Sequence, residues 1–239
     1  MATVCQQPER GQFGGLQGVC GQSGGVRQPI RARQTYYQRQ RGGYANTNFV
    51  IDNVRHGAGI EKADYTTYGG ILSNAIPAIA NANSNAGIIY LDGVETSNTL
   101  FLPHITNAMN VAGYICWGGH SNWGTNLNDA NYMLDGNVVW SGQSGWWIIE
   151  TIESYNGQRS EAGQGNFIKW FSPNAFGGTN YSNTPVGAVC HVEEPVIDYV
   201  NDSSVYFRLW AGGKNFAICA WMSRKTPYFQ AVGDPFILR

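Results

Sequence analysis

Charged side chains are scarce in this sequence. Asp, Glu, Lys and Arg make up 13% of the 239 residues, about half of the ~25% that is typical of a globular domain. Gly, Asn and Ser take their place, and this polar, uncharged composition favours an extracytoplasmic protein over a cytosolic one. Residues 1–44 contain six Arg and one acidic residue, whereas residues 45–239 contain nine Lys or Arg and fifteen Asp or Glu. The main body therefore offers no basic surface for nucleic acid.

Paired cysteines and long apolar runs are missing as well. The five Cys form no Cys-x-x-Cys motif and their number is odd, which argues against a zinc ribbon or a disulfide framework. Cys116, Cys190 and Cys219 lie within apolar runs and are expected to be buried free thiols. No run approaches the ~18 apolar residues of a membrane-spanning helix, so we expect no membrane span. The N-terminus has no hydrophobic signal-peptide region.

Metal-binding patterns are weak. Residues 125–136 are rich in side-chain oxygens that could bind calcium, but they lack the ordered spacing and the closing Glu of an EF-hand. A loop of Asx turns is the favoured interpretation of this segment. We expect neither a metal ion nor a cofactor, and the sequence indicates no oligomeric state.

The order of apolar segments predicts an α/β protein. Residues 1–45 are rich in Gly, Gln and Arg without periodicity, so we expect a disordered leader followed by a single domain over residues 46–239. Predicted strands lie at residues 48–52, 86–91, 111–117, 146–152, 186–192 and 229–232, with a small hairpin at residues 138–140. Predicted helices lie at residues 68–81, 100–110, 165–176 and 204–222, the first with a kink or first turn at Pro77. This alternation favours a three-layer, mostly parallel sheet with helices on both faces.

Three polar side chains follow predicted strands: Asp92, His120 and Ser154. The carboxyl ends of parallel strands share one edge of the sheet, where ligands bind in such folds, so we expect a shared cleft. Gly118 and Gly119 leave the His120 imidazole unobstructed, and its ordinary pKa of ~6.5 suits a general base. The alternative is a turn in which His120 caps a backbone group. Ser154 either presents a nucleophile at a strand-to-turn corner or caps the next turn.

Two carboxylates lie in or next to the apolar strand that precedes Ser154. Strand alternation predicts that Glu150 and Ser154 lie on one face and Glu153 on the other. A carboxylate in such apolar surroundings needs a partner or a raised pKa. We interpret Glu150 as structural, and Glu153 as either a structural residue or an acid/base group.

Tryptophans are concentrated between residues 117 and 147. Aromatic side chains form platforms for sugars, and they also fill protein cores. Trp117 and Trp123 are expected near solvent, where they could form a cleft wall for a peptide or glycan ligand.

Four motifs occur in a characteristic order along the chain. They are Gly-Gly-His at residues 118–120, Glu-Ser-Tyr-Asn-Gly at 153–157, Gly-Ala-Val-Cys-His-Val-Glu-Glu-Pro at 187–195 and Gly-Asp-Pro at 233–235. This order resembles the caspase/gingipain-like fold of cysteine peptidases, in which the catalytic His follows one strand and the Cys follows the next in a Cys-x-x-Gly corner. The chain is most similar to an uncharacterised family of bacterial, often exported, proteins of this type, and the similarity covers residues 86–239.

The resemblance implies a catalytic role for the strand ends. His120 would be the base, backbone amides of Gly118 and Gly119 would be oxyanion donors, and Ser154 stands where those peptidases have their Cys. Serine is a departure from the family, because a hydroxyl is far less acidic than a thiol and needs a stronger base. Three functions stay open: a peptidase-like hydrolase or its catalytically degenerate relative, a non-catalytic surface or carbohydrate-binding module that uses exposed Trp, and a self-assembling structural protein.

Overall fold

The structure is a computed structural model, and it describes residues 47–54, 62–93, 105–117, 138–141, 144–159 and 167–239. The leader expected at residues 1–45 lies outside these ranges. Within them the chain forms eight strands: β1 (Asn48–Val54), β2 (Gly87–Gly93), β3 (Ile105–Ala108), β4 (Val111–Trp117), β5 (Val138–Trp140), β6 (Ile148–Ile152), β7 (Gly187–His191) and β8 (Phe229–Gly233). The same ranges contain four α-helices: α1 (Lys62–Ala82), α2 (Phe167–Trp170), α3 (Ser203–Ala211) and α4 (Phe216–Ser223).

Six strands form one mixed, mostly parallel sheet in the order β2-β1-β4-β6-β7-β8. β8 runs antiparallel to β7, and the other neighbouring strands pair in parallel. Every residue of β4 and β6 is buried, which explains why both read as continuous apolar runs: strands that are covered on both faces need no polar alternation. The expected α/β fold with a mostly parallel sheet is confirmed.

α1, α3 and α4 cover one face of this sheet. Leu72, Ala75 and Ile79 recur at helical spacing along α1 and are fully buried in the core beneath it. The helix continues through Pro77. Among the described segments, no helix has both the length and the apolarity that crossing a bilayer requires.

Two helices take the place of the single interrupted helix expected over residues 204–222. α3 begins after Asp202, whose carboxylate accepts a 3.1 Å hydrogen bond from the amide of Val205. α4 begins after Asn215, whose side-chain oxygen accepts a 2.9 Å hydrogen bond from the amide of Ile218. Each cap satisfies an amide that lacks a partner within its helix, so both starts are encoded locally.

A small second sheet and the short helix α2 cover the opposite face. β3 and β5 pair in parallel there. Aromatic side chains fill the space beneath them: Trp140 stacks on Phe176 with ring centroids 5.5 Å apart, and Trp147 meets both rings edge-on. Edge-on and stacked pairs of this kind add to the free energy gained by burial, so this face has its own core.

Several local predictions on this second face are wrong. Residues 105–108 form β3 and not part of a helix over 100–110, because pairing with β5 outweighs the helical spacing of their apolar residues. Residues 138–140 belong to that parallel pair and not to a hairpin. In the segment 165–176, the described α-helix is limited to Phe167–Trp170, and a 3-10 turn at Ala175–Gly177 follows it. The outer layer here is therefore mostly strand and turn.

Candidate active site

The two strands that precede the predicted catalytic segments end side by side at one edge of the sheet. β4 and β6 pair in parallel, with Trp117 opposite Ile152 at their carboxyl ends. Ser154 follows two residues after this last pair. The residues that follow β4 in sequence lie outside the described ranges. They include Gly118, Gly119, the expected general base His120, and Trp123. The chain therefore leaves β4 at the same edge and next to the strand that ends near Ser154.

The backbone turns sharply at Ser154. The Ser154 side chain is partly exposed, whereas the preceding Glu153 is buried with 5% of its surface accessible. Tyr155 has a φ of 56°, a left-handed conformation that is uncommon for a bulky aromatic residue. Strained backbone of this kind persists only where the surrounding contacts hold it, and it is concentrated at functional sites.

Asn156 fixes this corner through hydrogen bonds to the neighbouring elements. Its side-chain amide donates a 2.8 Å hydrogen bond to the hydroxyl of Thr151 in β6, and its side-chain oxygen accepts a 2.9 Å hydrogen bond from the amide of His191 in β7. Its own carbonyl accepts a 3.1 Å hydrogen bond from the amide of Phe167 at the start of α2. Asn156 is fully buried, so its side chain ties the corner to two strands and its backbone carbonyl ties it to a helix.

The close surroundings of residue 157 explain why the corner ends in glycine. Its amide donates a 2.8 Å hydrogen bond to the carbonyl of His191. A Cβ atom at this position would lie 3.0 Å from that carbonyl oxygen and 3.0 Å from Oε1 of Gln230. Because one of these atoms is backbone, a larger residue would push the corner away from β7.

His191, the one histidine in the described part of the chain, is hydrogen-bonded to the Ser154 corner. Its Nδ1–H donates a 3.2 Å hydrogen bond to the carbonyl of Glu153, while Nε2 is buried and has no partner within the described part of the chain. Burial lowers the pKa of His191, against the raising effects of the Glu153 carbonyl and the Glu194 charge. The sequence favoured His120 because two glycines precede it, whereas the contact of His191 with the corner joins segments that are far apart in the chain.

Glu150 is buried on the face that α3 covers. Burial raises its pKa to about 8, and the nearby Ser203 and Asn201 side chains lower it by a smaller amount. Oε2 of Glu150, Oγ of Ser203 and both amide atoms of Asn201 complete no hydrogen bond among the described residues. Since Glu150 is 1% exposed, it cannot reach a ligand in solvent without movement of the core.

A row of polar side chains that the sequence analysis missed crosses the opposite face. Asp52, Cys116 and Thr151 pair across β1, β4 and β6 and are all buried. The hydroxyl of Tyr114 donates a 2.9 Å hydrogen bond to Asp52. Burial, with Asp52 as a secondary cause, raises the pKa of the Cys116 thiol well above its usual value, so this thiol is not a nucleophile at neutral pH. The signal in the sequence was a carboxylate at the end of the apolar run that forms β1.

Two other predicted site residues cannot line an open cleft at the corner, Asp92 because of its distance and Trp117 because of its burial. Asp92 belongs to β2, an edge strand, and the two strands between β2 and β6 separate its backbone from β6 by about 14 Å at the usual strand spacing. Trp117 is 1% exposed and packs in the core beneath α1 and α3, so the expectation that it lies near solvent is wrong. Large aromatic side chains fill cores as readily as they line clefts, and here the strand is covered on both faces.

Comparison with protein-family models, curated proteins and solved structures found no match for this chain. Among the described residues, no group of three or more His, Cys, Asp or Glu side chains could hold a metal ion. At the described edge, the group that could act chemically is the Ser154 hydroxyl, on a turn held by hydrogen bonds to β6, β7 and α2.

Proposed function

We propose that this domain is a hydrolase of the caspase/gingipain-like type in which Ser154 is the nucleophile and His120 is the general base. The observation that carries the proposal is the parallel pairing of β4 with β6, in register at Trp117 and Ile152. Two residues separate Trp117 from His120, and one separates Ile152 from Ser154. In open, mostly parallel sheets, ligands bind at the edge where the strands end, which supports the proposal that the two side chains act on one scissile bond.

The construction of the Ser154 corner supports the same proposal. The peptidases that the chain resembles have a Cys-x-x-Gly corner, and here a Cβ atom at Gly157 would lie 3.0 Å from the His191 carbonyl oxygen, a tight contact that favours glycine. Tyr155 is strained and Asn156 is bonded to two strands. A nucleophile that is held in one position loses little entropy when the substrate binds, which favours attack.

The proposed reaction is hydrolysis of a peptide or related acyl bond. His120 takes the Ser154 proton as the hydroxyl oxygen attacks the carbonyl carbon, and amides of Gly118 and Gly119 donate to the oxyanion. The C–N bond breaks and the amine leaves with the proton from His120. Water then attacks the acyl group while His120 takes its proton, and the bond to the Ser154 oxygen breaks as His120 returns that proton to it, which releases the acid. General-base assistance contributes roughly 10²–10⁴-fold in rate, so a serine without it would be nearly inert.

A fluorophosphonate probe tests the nucleophile directly. We expect the probe to label the wild-type chain, Ser154→Ala to abolish labelling, and His120→Ala to slow it by at least about 100-fold. Ser204→Ala, which changes a partly buried serine on α3, is the matched control and should label normally. Absence of labelling in the wild type, or labelling that survives Ser154→Ala, would contradict the proposal.

The family's own nucleophile provides a second test. Ser154→Cys restores the thiol that the resemblance calls for, and the described thiols of Cys116, Cys190 and Cys219 are buried. We expect the variant to react with a peptidyl chloromethyl ketone much faster than the wild type, and the gain to disappear in Ser154→Cys/His120→Ala. Equal reaction in the single and double variants would mean that His120 does not serve residue 154.

A further inference from the structure

The helix α4 is apolar on both of its sides. Phe216, Cys219 and Ala220 are buried, as expected for the side that packs on the sheet. The opposite side presents Ile218, Trp221 and Met222, which are 43%, 62% and 62% exposed. Helices at a domain surface usually have a polar outer side, so an outer side formed by Ile, Trp and Met points to something that covers it.

The exposed surface extends beyond α4 to the C-terminal segment. The amides of Phe216 and Ala217 donate 3.0 Å and 3.2 Å hydrogen bonds to the carbonyls of Ile237 and Pro235. Between those two residues, Phe236 is 65% exposed. Ile218, Trp221, Met222 and Phe236 are called the α4 patch below.

Basic side chains lie at both ends of α4. Lys214 precedes the helix and is exposed, and Arg224 and Lys225 follow it. The Arg224 guanidinium lies 4.1 Å from the centre of the Trp221 ring. The two nearby carboxylates are engaged locally: Asp202 lies 4.0 Å from the Lys225 ammonium, and Asp234 accepts a hydrogen bond from the amide of Phe236.

Within residues 45–239, the basic character is specific to the C-terminal end. Residues 202–239 contain five Lys or Arg and two Asp, whereas residues 45–201 contain four Lys or Arg and thirteen acidic residues. Two copies that met through the α4 patch would bring like charges together, which disfavours self-association through this surface. An anionic occupant satisfies both the apolar centre and the basic ends.

We propose that the α4 patch docks onto an anionic lipid surface. Trp221 and Met222 enter the headgroup region, where indole rings are favoured. Lys214, Arg224 and Lys225 then contact lipid phosphates at the two ends of the helix. A flat surface fits this arrangement because an eight-residue helix that lies parallel to it, about 12 Å long, brings its apolar side and both basic ends into contact together.

Vesicle sedimentation with the full chain tests the proposal. One set of vesicles contains phosphatidylcholine alone, and the other contains equal parts of phosphatidylcholine and phosphatidylglycerol. We expect binding to the anionic vesicles only, weakened by added salt. Trp221→Ser/Met222→Ser should weaken it at least tenfold, and Arg224→Gln/Lys225→Gln should weaken it and reduce its salt dependence.

Matched variants elsewhere on the surface separate specific docking from general adhesion. Met109→Ser and Arg159→Gln remove an exposed apolar and an exposed basic side chain outside the α4 patch, and both should bind like the wild type. All the substituted side chains are exposed, so thermal unfolding should show folded variants.

Three results would overturn the proposal. One is no binding to anionic vesicles at low salt, and another is binding that Trp221→Ser/Met222→Ser leaves unchanged. The third is concentration-dependent dimerisation that those substitutions abolish, because a second copy would then be the occupant. Ser154→Ala should bind normally, so this result is independent of the proposed hydrolase activity.

Discussion

Two buried tyrosines differ in what their hydroxyl groups contact. Tyr114 and Tyr206 are both fully buried, but the Tyr114 hydroxyl donates to Asp52 at 2.9 Å, whereas the Tyr206 hydroxyl has no partner in the described part of the chain. We expect Tyr114→Phe to lower the free energy of unfolding by about 1–3 kcal/mol, and Tyr206→Phe to leave it unchanged or raise it slightly. Urea unfolding measures both, and equal losses in the two variants would contradict this account of Asp52.

Glu150 makes stability depend on pH in a direction opposite to that of most carboxylates. Its folded pKa of about 8 lies above the ordinary value of 4.5, so the folded state retains a proton that the unfolded state releases. The associated stability is complete below about pH 4.5 and is lost as the pH rises through about 8. We therefore expect Glu150→Gln to match the wild type near pH 5 and to be more stable by a few kcal/mol near pH 8.5.

Urea unfolding of both chains across this pH range measures the difference. Asp198→Asn is the control. It neutralises an exposed carboxylate in the segment that precedes α3, and its stability should equal that of the wild type at each pH. A Glu150→Gln variant that is less stable than the wild type at the higher pH would mean that the carboxylate is ionised and stabilising in the folded state.

Individual site residues could be predicted where the sequence around them carries a local pattern. Ser154 follows an apolar run and precedes Gly157, so a strand-to-turn corner could be recognised. Asn156 and His191 could not, because their hydrogen bonds join segments that are far apart in sequence. Trp117 was misjudged because a strand's last residue can be covered as fully as its middle.

At the scale of elements, the Ser154 corner is set by how closely β7 passes it. We expect Gly157→Ala to cost about 1–3 kcal/mol of stability, because its new methyl group would meet the His191 carbonyl and Gln230. Gly70→Ala in α1 is the control: a Cβ there meets nothing within 4 Å, so stability should rise by roughly 0.5–1 kcal/mol. Chemical unfolding decides the pair, and a neutral Gly157→Ala would mean that the corner adapts easily.

Strands of the main sheet were easier to predict than the layer that covers its second face. Continuous apolar runs such as β4 and β6 have few alternatives to a central strand. Short segments such as β3 carry a periodicity that suits a helix, and only pairing with β5, some thirty residues away, decides their conformation. Local propensity gives way to tertiary contacts in such segments.

At the scale of the whole molecule, every described strand and helix lies at or after Asn48. The sequence predicts a leader over residues 1–45, so we expect a chain that begins at residue 46 to unfold in one cooperative transition at the same Tm as the full chain. For a protein of this size, a loss of 1 kcal/mol lowers Tm by roughly 2–4 °C. Differential scanning calorimetry of the two chains measures this, and a drop well beyond that range would mean that residues 1–45 contribute to the folded domain.

The division of the tryptophans between the two sides of the protein gives it two optical reporters. Trp140 and Trp147 meet edge-on in the core under β3 and β5, whereas Trp221 is 62% exposed on α4. Coupled indoles in a fixed, dry arrangement give a strong near-ultraviolet circular dichroism signal, while a solvent-borne quencher such as acrylamide reaches Trp221 ahead of the other tryptophans in the described part of the chain. Circular dichroism thus follows loss of packing around Trp140 and Trp147, and quenching follows changes in the exposure of Trp221, both in one unlabelled sample.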